Sequence, residues 1–202
     1  MTNIDFRPSA HFTLAEAMRS QEAVRHGIDN LPPRNVFPAL AAISENIFEP
    51  IRTHFGIPYT PQSWFRCEAL ERRLCWTSFI NWCKRRTREP NEESWAIYFD
   101  RKQHPKGCAG DLELPGIPNY ELAKWIRDNL EFDQLILEFH VWGKPSSGWV
   151  HASFVDGENR GEVLTIGRGK ALPGLPDYDY AELALSAGLL AALTSQTSVT
   201  WE

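Results

Sequence analysis

Two histidines and one aspartate have the residue types expected of a catalytic metal site. His104 and Asp111 are seven residues apart, with Gly107 and Gly110 between them. Such a segment can fold back as a loop running into a strand, which brings an imidazole and a carboxylate to one point. His151 lies further on, in the return strand of a predicted hairpin. Two histidines and a carboxylate suit zinc, because three protein ligands leave a fourth position for water, whose pKa the metal lowers to about 7. The alternative is three unrelated polar residues.

The N-terminal part of the chain is predicted to be helical. Thr13-Leu14-Ala15-Glu16 is a capping box, so we expect a helix from Leu14 to about Arg25. A second helix is expected between Pro33 and Gly56. It carries an apolar residue at every third or fourth position, at Val36, Leu40, Ile43, Ile47 and Ile51. This stripe must pack against another element.

The remainder mixes short strands with helices. We expect helices at 69–83 and 119–130, the second capped by Asn119, and a hairpin loop at 142–148. Strands are expected at 59–65, 95–99, 111–114, 134–139 and 149–155, and at 162–166 as a third antiparallel strand. The order predicts an α+β fold, in which helices pack on a small, mostly antiparallel sheet.

Composition excludes several classes of protein. The net charge of −5 and the pI near 5.7 lack the basic surface of a nucleic-acid binder. No apolar run reaches the length of a membrane span. The first residues show no secretory signal, so we expect a cytoplasmic product unless something else exports or releases it. Residues 167–202 begin Gly- and Pro-rich and become apolar from Tyr180 to Leu193. We expect a linker and a helix that docks on the domain formed by residues 1–166 or on a partner, in a homo-oligomer or a virion.

Several segments resemble one family of peptidases in order along the chain. Residues 103–111, QHPKGCAGD, resemble the SxHxxGxAxD motif of the zinc D-alanyl-D-alanine carboxypeptidases, and residues 148–151, GWVH, resemble their third-ligand strand. Residues 63–66 look like the family's arginine-bearing segment. Residues 11–16 and 27–30 look like the N-terminal helical part of the branch found in bacteriophage and prophage genomes. The superfamily also includes the Hedgehog signalling domain and lysostaphin-type peptidases.

The resemblance implies a role for each of five residues. His104, Asp111 and His151 would bind Zn²⁺, Arg66 would receive the terminal carboxylate of the substrate, and Glu138 would be the general base. His140 and Asp133 lie near Glu138 in the sequence and could share or take its role.

Two departures from the family pattern lie close to these residues. Lys102 stands where the motif has serine, and Cys67 follows Arg66 where serine is frequent. A longer segment, about residues 76–101, separates the arginine from the first ligand. Because this insertion could wall or cover the cleft, it puts the substrate preference in doubt.

Three functions follow from the resemblance as hypotheses. The first is a zinc metallopeptidase, encoded by a phage or prophage, that hydrolyses peptide bonds of the peptidoglycan stem peptide as a carboxypeptidase or endopeptidase. It would wait in the cytoplasm until lysis or be carried in the virion. The second is a virion or assembly protein that keeps the fold, with zinc structural or absent. The third is a Hedgehog-like binding module.

Overall fold

Helices dominate the first half of the protein and a sheet the second half. The structure is a computed structural model that describes residues 6–167 and 171–176. Its α-helices are α1 (Leu14–Met18), α2 (Gln21–His26), α3 (Phe37–Ile43), α4 (Glu49–Phe55), α5 (Glu68–Arg85), α6 (Glu92–Phe99) and α7 (Asn119–Asn129). A 3-10 turn, Arg34–Val36, leads into α3, and a π-helical turn, Ser44–Phe48, joins α3 to α4. None of the helices in this part of the chain is both long and apolar enough to cross a membrane.

Five strands form one sheet, and the predicted α+β class is confirmed. The strands are β1 (Ala109–Leu112), β2 (Gln134–Glu138), β3 (Trp149–Ser153), β4 (Glu162–Ile166) and β5 (Leu172–Pro173), in the order β1-β3-β2-β4-β5. All neighbours are antiparallel except β2 and β4, which are parallel. The short strand β5 lies within the predicted linker and pairs with β4. The predicted apolar helix at 180–193 lies outside the described residues.

The parallel pairing of β4 shows that its prediction as a third antiparallel strand was wrong. After β3, the chain passes the start of β2 instead of turning back beside β3. The main-chain N–H groups of Gly161 and Glu162 donate to the carbonyls of Phe132 and Asp133, so β4 begins level with β2 on its free edge. Sequence spacing within 153–162 gives a turn but does not say which edge receives the next strand.

The main core lies on one face of the sheet. Because side chains alternate along a strand, Leu135, Leu137, Val150 and Ala152 share a face, and all four are fully buried. The continuous helical stretch at 34–55 and α7 cover this face. The predicted stripe is confirmed, since its five residues are buried in the same cluster as the strand residues: Val36, Leu40, Ile43, Ile47 and Ile51. The opposite face is left for polar side chains.

A second, smaller core joins α5 and α6. It is built from Phe79, Trp82, Cys83, Trp95 and Tyr98, with the rings of Phe79 and Trp95 edge to face at 5.3 Å. The prediction of a strand at 95–99 was wrong, because this segment belongs to α6. Asn91 caps that helix by accepting a hydrogen bond from the N–H of Ser94. The insertion at 76–101 is therefore a helical hairpin with its own aromatic core.

Three local predictions were also wrong. The helix expected from Leu14 to Arg25 is two helices. Ser20 is the N-cap of the second, because its side chain accepts a hydrogen bond from the N–H of Ala23. The segment at 59–65 makes one bridge to β1 rather than a strand, and Pro61 removes a donor there. Asn119 does not cap α7. Its side-chain amide instead donates to the carbonyls of residues 147 and 148.

Candidate metal centre

One tight turn brings the first two predicted ligands, His104 and Asp111, together. His104 opens a short 3-10 turn, His104–Lys106, and Gly107 follows with φ of 74°. A Cβ at Gly107 would lie 2.4 Å from Cγ1 of Val36, so both conformation and space require glycine. The chain then enters β1, which carries Asp111. The predicted loop-to-strand path between His104 and Asp111 is therefore present.

Sheet register supplies the third ligand and the proposed base. Asp111 of β1 is directly opposite His151 of β3, and His151 is opposite Ile136 of β2. Glu138 follows Ile136 by two residues, so its side chain projects from the same face of the sheet. Gly148, just before β3, has φ of 69°, and a Cβ there would lie 1.9 Å from the carbonyl oxygen of Glu138. This close approach holds β3 against the end of β2.

The two distances from Asp111 to the histidines are close to the edge of a tetrahedral zinc site. Asp111 Oδ1 lies 3.1 Å from His151 Nδ1 and 3.4 Å from His104 Nε2. Ligand atoms at zinc distances of about 2.0–2.1 Å are about 3.3 Å apart along a tetrahedral edge. One ligand atom from each residue lies within 4.8 Å of the others, and all three residues are buried.

Hydrogen bonds on the far side of each ring decide which nitrogen faces the site. His104 Nδ1 lies 2.7 Å from the main-chain carbonyl of Trp64, which only accepts, so the proton is on Nδ1 and Nε2 carries a lone pair. His151 Nε2 lies 3.0 Å from Gln103 Oε1. For a neutral His151 the proton is then on Nε2, and Nδ1 carries the lone pair. Two ring lone pairs and a carboxylate oxygen thus converge, an arrangement that a cation stabilises.

The orientation of Gln103 is itself fixed. Its Nε2 donates to Asp133 Oδ2 (2.8 Å) and to Ser153 Oγ (2.9 Å), so its oxygen must face His151. Arg160 in turn donates to both oxygens of Asp133, at 2.8 and 2.7 Å. Ligating histidines are commonly held in this way by an acceptor on the ring nitrogen that does not bind the metal. The chain of contacts from Arg160 to His151 therefore fixes the orientation of this predicted ligand.

Electrostatics favour the protonation states that bind a metal. Burial lowers the pKa of His104, which favours the neutral imidazole. Burial alone would raise the pKa of Asp111. The Arg66 guanidinium, which contacts Oδ2, is among the groups that outweigh that effect and hold the pKa of Asp111 well below its usual range. Neutral imidazoles and a carboxylate are the forms that ligate zinc.

Glu138 lines the same cleft as the three ligands. The cleft has a volume of about 290 Å³. Burial raises the pKa of Glu138 above its ordinary value. The two competing residues lie elsewhere. Asp133 is held by Arg160 and Gln103, and the His140 ring nitrogen lies 3.0 Å from the carbonyl of Ser147. The geometry thus places Glu138, rather than its neighbours in sequence, beside the ligand set.

Arg66 also lines the cleft, but protein groups already contact its guanidinium. Nε donates to Ser63 Oγ (2.7 Å), Nη1 to Glu71 Oε2 (3.5 Å), and Nη2 to Asp111 Oδ2. The contact with Oδ2 leaves Oδ1 of Asp111 to face both histidines. Arg66 thus orients a predicted ligand, and a role towards substrate stays a prediction.

Two residues that sequence reasoning left without a role take part in the site. Gln103 occupies a variable position of the motif, so the sequence assigned it no role, although it directly precedes His104. Glu71 is 1% exposed and contacts Arg66, Cys75 Sγ (2.9 Å) and Lys102 Nζ (3.8 Å). A glutamate in the first turn of a helix gives no sequence signal that it is buried. Helix α5 borders the cleft through Glu71 and Cys75, which precede the predicted insertion, and the insertion itself reaches the cleft at its last residue, Arg101.

Comparisons of the chain with models of protein families, with curated proteins and with solved structures find no match.

Proposed function

We propose that this protein is a zinc peptidase of the D-alanyl-D-alanine carboxypeptidase type. The observation that carries the proposal is the convergence of His104 Nε2, His151 Nδ1 and Asp111 Oδ1, with a hydrogen-bond acceptor on the far side of each ring. A buried set of two imidazoles and one carboxylate fits zinc and leaves one position for water. The order of motifs in the sequence supports the same family and its fold.

The residues around the ligand set support hydrolysis. Zinc, when bound, supplies a Lewis acid for the scissile carbonyl and lowers the pKa of water. Glu138 takes a proton from the attacking water and passes it to the leaving amine. A base whose pKa is raised by burial suits both steps, because it accepts and releases a proton near neutral pH more readily than an ordinary glutamate.

The proposed substrate is the stem peptide of peptidoglycan, and the proposed setting is a bacteriophage or prophage. Both come from the sequence resemblance. Arg66 is the candidate for the terminal carboxylate of the substrate, since a guanidinium binds carboxylates in a bidentate manner and this one borders the cleft. Cleavage at the end of the peptide and cleavage within it are both compatible with an open cleft.

Two measurements on three proteins test the proposal. Zinc content and the release of new amines from purified peptidoglycan are measured for wild type, His151→Ala and Glu138→Gln. We expect wild type to bind one zinc and release amines, His151→Ala to lose both, and Glu138→Gln to keep zinc but lose at least about 100-fold in rate. A wild type without zinc contradicts the metal site. Zinc without hydrolysis favours a structural virion protein.

A further inference from the structure

A second pocket adjoins the metal cleft at the end of β2 where Gln134 lies. Its volume is about 570 Å³, and four residues line both spaces: Arg101, Lys102, Gln103 and Gln134. These four residues therefore lie at the boundary between the metal cleft and this second pocket. A ligand that enters the cleft from this side passes Arg101.

The second pocket carries more positive than negative charge, in a chain whose net charge is −5. Three of its cations have local partners: Lys102 lies near Glu71, Lys106 near Asp100 and Arg160 near Asp133. Arg101 is exposed and has no hydrogen bond or ion pair within 6–167 and 171–176. Its charge is therefore available to a ligand.

The insertion hairpin forms one wall of the second pocket. Trp82 and Tyr98 both line the pocket, and Trp82 is 5% exposed. The ring of Tyr98 holds Lys102, whose Nζ lies 4.4 Å from the ring centroid. Together with the exposed Arg101, this wall presents cationic groups, which suit a carboxylate.

Strand spacing relates this pocket to the reaction. His151 is opposite Ile136, and Gln134 lies two residues from Ile136 along β2. A strand rises about 3.3 Å per residue, so Gln134, which borders the second pocket, lies about 7 Å along β2 from the ligand set. An extended peptide lying along β2 with its scissile bond at the metal reaches the pocket with its second or third residue.

We propose that the second pocket is a subsite for a free carboxylate that the peptide carries two or three residues from the scissile bond. This inference rests on the proposed function, because it takes the scissile bond to lie at the ligand set. In the stem peptide, the D-glutamyl residue is linked through its γ-carboxyl group and keeps its α-carboxylate. When the bond between the two terminal D-alanines is cleaved, this residue is the third on the N-terminal side.

The test uses two peptides that differ only in that group. They are L-Ala-γ-D-Glu-L-Lys-D-Ala-D-Ala and the same peptide with the α-carboxylate as a carboxamide. Their binding to the zinc-loaded full chain carrying Glu138→Gln is measured by calorimetry. We expect about 5-fold tighter binding of the carboxylate form, the size of a partly exposed ion pair. Adding Arg101→Glu should remove that preference. Adding Lys124→Glu, an equal charge change on α7 across the sheet, should keep it.

The outcomes separate this inference from the proposed function. Equal binding of the two peptides, or no binding of either, overturns the subsite, whereas hydrolysis by wild type is judged independently. A carboxylate preference together with no hydrolysis by wild type would support the subsite and contradict the peptidase.

Discussion

Gln103 is the residue whose replacement best tests how the candidate metal centre is built. Its amide accepts from His151 and donates to Asp133 and Ser153. Gln103→Met keeps an unbranched chain of similar volume but removes every one of these hydrogen bonds. The His151 ring is then free to rotate or change tautomer, and its Nδ1 is no longer directed at the site. The three ligands themselves are unchanged.

The expected effect has two parts. Loss of an outer partner of a ligating histidine lowers metal affinity about 10–100-fold, which corresponds to about 1.4–2.7 kcal/mol. His151 is only 6% exposed, so its Nε2–H is left buried without an acceptor. That destabilises the metal-free protein by about 1–3 kcal/mol. Asp133 adds little to this cost, because it keeps both hydrogen bonds from Arg160.

Zinc affinity is measured by competition with a chromophoric chelator, and unfolding of the metal-free protein by urea. The ¹⁵N shifts of His151 report the tautomer directly. Gln21→Met, on the exposed first residue of α2, is the matched control and should change none of these quantities. If folded Gln103→Met binds zinc as tightly as wild type, the hydrogen-bond chain does not preset the ligand and the reasoning is refuted.

Two further predictions concern stability. Hydrogen bonds from Arg160 lower the pKa of Asp133 in the folded state. The pair therefore stabilises the fold fully above the unfolded-state pKa of Asp, about 3.9. This stabilisation is lost as pH falls through the lower folded-state pKa. Urea unfolding should therefore show wild type more stable than Arg160→Gln by about 1 kcal/mol at pH 7 and by progressively less as pH falls below about 3.9, and a difference that does not shrink with falling pH would contradict this. Gly148→Ala should cost about 3 kcal/mol or more, because its methyl group overlaps the neighbouring strand. Gly116→Ala, with φ of 78° and open space around it, should cost only about 1 kcal/mol.

The apolar pattern predicted the long elements well and the short ones poorly. The stripe from Val36 to Ile51 extends over more than four turns of helix, so its period is unambiguous. The segment 95–99 is five residues of aromatic and aliphatic type, for which helical and strand periods are not distinguishable. Its conformation is decided by packing of Trp95 and Tyr98 on Phe79, a contact across the hairpin that no local pattern encodes.

The candidate site shows the same division between local and long-range information. The motif spacing predicted a meeting of His104 with Asp111, because two glycines between them permit the turn. The hydrogen bond between Gln103 and His151 could not be predicted in this way, because the two residues are 48 positions apart. Asp133, which orients Gln103, is another 30 positions from Gln103. Only the sheet register makes these residues neighbours. A motif can therefore name the ligand set, whereas the hydrogen bonds that would decide how strongly it binds a metal depend on the whole fold.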